Sequence, residues 1–261
     1  MFNTLPPQQD FDHTIELKES FVLKVAKIYP LNPQEVDTCR EFIEENLKTG
    51  RIQPLKSPQA SPFFFVKKKD RELCPVQDYQ YLNDHTVKNA YPLPLIADLV
   101  NNLQQFSHFT KFDICWGYNN ICIKEGDEWK AVFITQLGLF EPTVMFFSLC
   151  RSPPTFQAFM NYNFADYIRE GWLVIYMDNL AIGASSIEDE DRKVCLVLQQ
   201  FHDLGLSLKL SKCEFGVTEI EFLSMVVGSG CICMDPAKLS AIATWPPLKT
   251  VQGRLILLGF L

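Results

Sequence analysis

The hydrophobic pattern is densest between Leu173 and Ala184, where LVIYMDNLAIGA sets two apolar runs around Tyr-Met-Asp-Asn. Short apolar runs closed over turn-forming residues predict a β-hairpin. Its tip carries Asp178, at a two-residue turn where Asp and Asn tolerate positive φ. Upstream, NPQEVDTCREFIEENLKTG opens on Asn32 and Pro33, spaces Val36, Cys39, Ile43 and Leu47 helically, and stops at Gly50. These signals predict a helix over 33–48. SPFFFVKKKDRELCPVQDY reads as a second hairpin with a basic tip, and NAYPLPLIADLVNNLQQF as a proline-punctuated entry into a helix. Strand character resumes through HFTKFDICWGYNNICI, and SPPTFQAFMNYNFADYI predicts one helix that Gly171 ends. A third long helix, acidic at its start, covers 187–204, and EFLSMVVGSGCICMD predicts a hairpin turning at Gly228-Ser229-Gly230. Helices and strands in this irregular order predict an α+β fold rather than a βαβ array.

Composition narrows the class. At 261 residues and 47% hydrophobic, the chain can bury a sizeable core. No apolar run reaches the roughly 18 residues of a spanning helix, and the N-terminus lacks a basic, then apolar, leader pattern. The expectation is an intracellular protein of cytoplasm or nucleus, without a membrane partner. Nine cysteines include no CxxC pair, so buried reduced thiols are expected rather than zinc or a disulfide framework. With 24 basic against 31 acidic residues the net charge is −7, which by itself argues against a nucleic-acid partner.

Two carboxylates stand out as candidate chemistry. Asp113 ends the strand-like HFTKFD, and Asp178 sits on the hairpin tip. On neighbouring strand ends they would share a metal, while strand-end aspartates usually just cap turns. A metal-dependent hydrolase would need nearby histidines, and His13, His85, His108 and His202 form no ligand-spaced pair.

The segments RIQPLKSPQASPFFFVKKKD, DYQYLNDHTVKNAYPLPLI, FTKFDICWGYNNICIKEGDEWKAVFIT, LGLFEPTVMFF, SPPTFQAFMN, YMDN and FGVTEIEFLSMVV occur in one order over roughly Asp12 to Gly259. This ordered set resembles the reverse transcriptase of Gypsy-type long-terminal-repeat retrotransposons. The resemblance implies right-hand polymerase fingers and palm, the palm a small antiparallel sheet backed by helices, over residues 50–235. It also implies an N-terminal segment, 1–49, leading from a protease region, and a truncated start of the thumb or connection at 236–261. The thumb is then essentially absent.

By the same resemblance Asp113 and Asp178 are catalytic carboxylates. With the Ile114 carbonyl they would hold two Mg²⁺, or Mn²⁺, for transfer of a deoxynucleoside triphosphate to a primer on an RNA or DNA template. Lys68, Cys74, Tyr118, Phe147 and Ser148 fall at nucleotide-binding positions, and Gln157 at a template-side position. Asn179 stands where the family has a second hairpin aspartate, and Cys74 where it has a triphosphate-gripping arginine. Gln80, Cys115 and Cys122 stand for arginine, and Ser148 and Ser224 for glycine. Polymerase activity weakened by these departures is one expectation; a catalytically dead relic or a nucleic-acid-binding module that keeps the fold is the other.

Each departure is reachable by one C-to-T change on either DNA strand, so a single mutational chemistry would account for the set, where drift with selection would scatter changes over many codon classes. Reverting the four arginines and Asn179 adds four positive charges and one negative, moving the net charge from −7 to −4. Cys195, His202 and Cys233, read as three more lost arginines, would bring it to −1.

Overall fold

The computed structural model describes residues 5–9, 11–67 and 72–234. The first helix, α1 (Pro33–Lys48), has the predicted bounds. Its start is a capping box in which the Asn32 side chain accepts the Glu35 N–H at 3.0 Å and Glu35 accepts the Asn32 N–H at 2.9 Å. Strands β1 (Ile52–Pro54), β2 (Ser61–Lys67) and β3 (Leu73–Gln77) follow, with β2 and β3 forming the first expected hairpin. Its basic tip, 68–71, lies outside the described residues.

Two helices, α2 (Gln80–Asp84) and α3 (Ile96–Leu103), lead to β4 (His108–Asp113). The predicted strand run past Asp113 does not continue. Trp116 turns left-handed at φ 53°, and 117–120 coil into one 3₁₀ turn. Next, β5 (Phe133–Thr135) and β6 (Gly138–Pro142) complete a five-stranded sheet in the order β1-β6-β5-β2-β3, with β2 and β5 parallel and the other neighbours antiparallel. The apolar face of α1, through Cys39, Phe42 and Ile43, enters the same core as Phe63, Phe133 and Phe140 of this sheet. The helix of the predicted 1–49 segment therefore packs on this sheet.

The helix predicted from SPPTFQAFMNYNFADYI is two, α4 (Ser152–Asn163) and α5 (Ala165–Arg169), broken at Phe164. Phe164 is buried in the core below, and that packing outweighs the continuous helical pattern. Strands β7 (Leu173–Tyr176) and β8 (Asn179–Ala184) make the hairpin, and α6 (Ile187–Asp203) starts from a Ser186 cap. With β9 (Glu214–Val217) the second sheet runs β7-β8-β4-β9, all antiparallel. The last sheet joins β10 (Glu219–Phe222), β11 (Met225–Gly228) and β12 (Cys231–Met234).

The unbroken apolar runs of the hairpin follow from burial on both sides of the second sheet. Phe112, Leu173, Ile175, Leu180 and Ile182 face one core with Phe156, Phe159 and Val197 of α4 and α6. Phe109, Val174 and Ala181 face the other core with α3 and the last sheet. At Gly183 the fit is tightest: a Cβ there would lie 2.2 Å from the Phe106 ring. Buried Lys193 donates to the Gly183 carbonyl at 2.9 Å and pairs with Asp189 at 2.7 Å. Buried Glu190 accepts from Thr110 Oγ1 at 2.5 Å and from the Gly216 N–H at 2.9 Å, tying α6 to β4 and β9.

The segment ahead of α1 is held to the body of the fold by isolated bridges His13–Ile123, Leu17–Thr86 and Val25–Ala60. Burial first, then the Arg151 charge, pulls the His13 pKa down to about 3, so it is neutral at physiological pH. Among the described residues no helix is long and apolar enough to cross a membrane.

The two-residue turn between β10 and β11 puts Leu223 and Ser224 at φ 50° and 67°. Both central residues are left-handed, the geometry for which glycine is preferred. Relieving one such residue is worth about 1 kcal/mol. Ser224→Gly is therefore expected to raise the urea midpoint of the chain, with an unchanged slope.

Candidate active site

Two strands and one turn bring the aspartates together. Asp113, the last residue of β4, is the register partner of Asn179, the first of β8. Met177 and Asp178 form the two-residue turn, and the Ile114 N–H donates to the Asp178 carbonyl at 3.0 Å, extending the ladder to the tip. The left-handed residue is Met177, at φ 54°, and not the Asp or Asn that turn preference favours. Gln157 of α4 compensates: its Oε1 accepts the Met177 N–H at 2.8 Å and its Nε2 donates to the Ile175 carbonyl at 3.2 Å. Gln157 is 0% exposed. A side chain so enclosed touches no template, so the template-side expectation is corrected: Gln157 positions the turn from beneath.

Both carboxylates open onto a cleft of about 580 Å³ whose walls include Cys74, Pro75, Ile114, Cys115, Phe147, Lys209 and Lys212. Lys212 Nζ lies 3.0 Å from Asp113 Oδ2. Burial, reinforced by the Asp113 charge and opposed by Lys212, raises the Asp178 pKa above the ordinary carboxylate value. The pair is thus short of positive charge, the condition a hard divalent cation relieves. Asn179 supplies none of the missing anion. Its Nδ2 donates to Asp178 Oδ1 at 3.3 Å, where a carboxylate would add charge. Among the described residues no three His, Cys, Asp or Glu side chains cluster as a metal cage. Two carboxylates beside one cleft are donors of the hard oxygen type that a divalent cation takes.

The remaining expected residues divide. Cys74 comes from β3 and Phe147 from the loop before α4, and both line the aspartate cleft as expected. Lys68 lies outside the described residues, as does the 236–261 segment. Tyr118 is not among the cleft-lining residues; its hydroxyl rests 3.4 Å from Met177 Sδ, with its pKa pushed up to about 12 mainly by burial. Ser148 also stands off the cleft, and its buried Oγ has no hydrogen-bond partner, the mark of a hydroxyl in a position shaped for less. Of the other departures, Cys115 lines the cleft, Cys122 is buried with its Sγ 3.4 Å from the Pro6 carbonyl, and Gln80 is exposed at the start of α2.

Sequence reasoning missed Lys209, Lys212, Trp116 and Asn119, all of which line the cleft. The lysines sit almost a hundred residues from Asp113 and reach it because Lys209 N–H donates to the Asp113 carbonyl at 2.9 Å. No local pattern announces that pairing. Trp116 carries a local signal, an aromatic three residues past the candidate ligand Asp113.

Residues 66–227 match the family model described as reverse transcriptase (RNA-dependent DNA polymerase). Over 243 residues the chain is 34% identical to the Transposon Tf2-7 polyprotein and 33% to the Transposon Tf2-3 polyprotein, both of Schizosaccharomyces pombe. Each alignment covers 93% of this chain and 18% of the polyprotein, so the chain spans under a fifth of those relatives' length. Among solved structures, the foamy viral protease-reverse transcriptase in complex with RNA/DNA hybrid superposes with a TM-score of 0.80 at 17% identity, over 98% of this chain and 35% of that one. A second structure of that enzyme, in complex with double-stranded DNA, gives 0.83 at 17% identity, over 98% of this chain and 46% of that one. These structural likenesses establish the fold. With the family model matched over more than half its length and retrotransposon polyproteins as its sequence relatives, the chain belongs to the reverse transcriptase family.

Proposed function

We propose that this domain extends a primer on an RNA or DNA template by transfer from deoxynucleoside triphosphates, and that its own residues leave the reaction weak. The observation that carries the reading is the meeting of Asp113 and Asp178 at one cleft between fingers and palm. Mg²⁺ or Mn²⁺, when bound, supplies activation of the primer hydroxyl and neutralises triphosphate charge. Asp113, Asp178 and the Ile114 carbonyl would hold it. Lys212, now on Asp113, is freed to face phosphate, and Lys209 adds a second positive charge to the same wall. A retroelement enzyme of this kind acts in cytoplasm or nucleus.

The weakness has two sources in one cleft. Asn179 offers a neutral amide where a third carboxylate would add anionic charge, and Cys74 cannot make charge-assisted contacts to phosphate. A loss of about 3–4 kcal/mol in transition-state stabilisation corresponds to a few hundredfold in rate. The second reading, an inert relic, draws on the orphaned Ser148 hydroxyl and the strained Ser224 turn.

Primer extension on poly(rA) with Mg²⁺ or Mn²⁺ tests the proposal. The unmodified chain is expected to incorporate little, Asn179→Asp to gain roughly a hundredfold, and Asn179→Asp with Cys74→Arg to exceed either single change. No incorporation by the double variant supports the relic, and robust extension by the unmodified chain defeats the claim of weakness.

The carboxylate pair also sets a stability signature. Because the folded Asp178 pKa is raised, its charge destabilises the metal-free chain. That penalty is fully present above the folded value and fades as pH falls towards the unfolded value. Asp178→Asn is expected to melt higher than the parent at pH 7 without metal, with the gap closing towards pH 4. Added Mg²⁺ should raise the parent's melting temperature and leave the variant's unchanged.

A further inference from the structure

Trp116 has no role in the fold that accounts for its conformation. Its φ of 53° and ψ of 42° are left-handed, a costly setting for a bulky side chain, and it is 59% exposed. The strain is held by its neighbours. The Asn119 N–H donates to the Trp116 carbonyl at 2.9 Å, and Asn120 Nδ2 donates to the same oxygen at 3.1 Å and to the Gly117 carbonyl at 3.2 Å. Among the described residues the indole itself has neither ring partner nor hydrogen bond.

What the strain achieves is position. Trp116 lines the aspartate cleft, and it also lines a smaller cavity beside the end of α1, with Glu45, Thr49 and Arg51. Phe147, 49% exposed, lines the same cleft. Two exposed aromatic rings in a cleft with carboxylates and lysines fit a ligand with a flat, uncharged part and an anionic part. We infer that Trp116 is a stacking platform of this cleft, taking the base or sugar face of an incoming nucleotide or of a templating residue. The inference rests on the polymerase reading of the cleft and adds a binding residue to it.

The left-handed backbone makes a discriminating test available. Trp116→Gly removes the ring and suits the φ, so it should melt no lower than the parent while binding more weakly. Binding is read from anisotropy of a fluorescein-labelled single-stranded oligonucleotide, and from fluorescence of a methylanthraniloyl-labelled deoxynucleotide with Mg²⁺. The expected loss for Trp116→Gly is roughly fivefold to a hundredfold in at least one arm, with Trp116→Phe staying within about threefold of the parent. Loss in the nucleotide arm assigns the ring to the incoming residue; loss in the oligonucleotide arm assigns it to the template. Parent-like binding by Trp116→Gly overturns the inference alone. A Trp116→Gly chain that melts several degrees lower, with Trp116→Phe binding no better, makes the ring a fold residue and also overturns it. A parent chain that binds neither probe overturns the inference together with the polymerase reading.

Discussion

Burial of the β7-β8-β4 strands on both faces is the constraint from which the active site follows. A one-residue slip carries every side chain of a strand to the opposite face, and here it would exchange the side chains of two differently packed cores. Leu180 and Ile182 belong to one core and Ala181 to the other, so the hairpin has a single register. That register sets Asn179 opposite Asp113 and leaves Asp178 at the tip. Glu190 and Lys193, both buried on α6, add polar bonds at Thr110, Gly216 and Gly183 that oppose sliding of the helix across the sheet.

The site held there is electrostatically unsettled. Burial, reinforced by the Asp113 charge and only partly offset by Lys212, raises the cost of ionising Asp178, while Gln157 fixes the turn from below. Such tension between stability and local charge is the usual condition of a site built to receive a cation. The asparagine that follows Asp178 lessens the tension without restoring the charge, since its amide donates to the carboxylate.

The departures from the family pattern leave physical traces beyond the chemistry they remove. Ser224 sits at a left-handed φ, and Ser148 carries a buried hydroxyl with no partner. Cys74 and Cys115 put neutral thiols on the cleft wall. One class of nucleotide change would leave this mixture, in which strain, an unpaired polar group and lost positive charge accumulate without a shared structural purpose.

Local chemistry determined a good deal by itself. The capping box at Asn32 and Glu35, the two hairpins and the strand end at Asp113 are short-range patterns, and each formed where the spacing placed it. The ordered motifs were enough to assign the family. Tertiary structure decided what depends on distant partners. It broke the α4–α5 helix at the buried Phe164, moved the left-handed turn residue from Asp178 to Met177, and withdrew Gln157 from the template side to the underside of the hairpin. It also brought Lys212 to Asp113 across almost a hundred residues and aimed the strained Trp116 into the cleft. The division has one physical reason: caps, turns and periodicity are energies of neighbours in sequence, while burial and charge pairing are energies of neighbours in space.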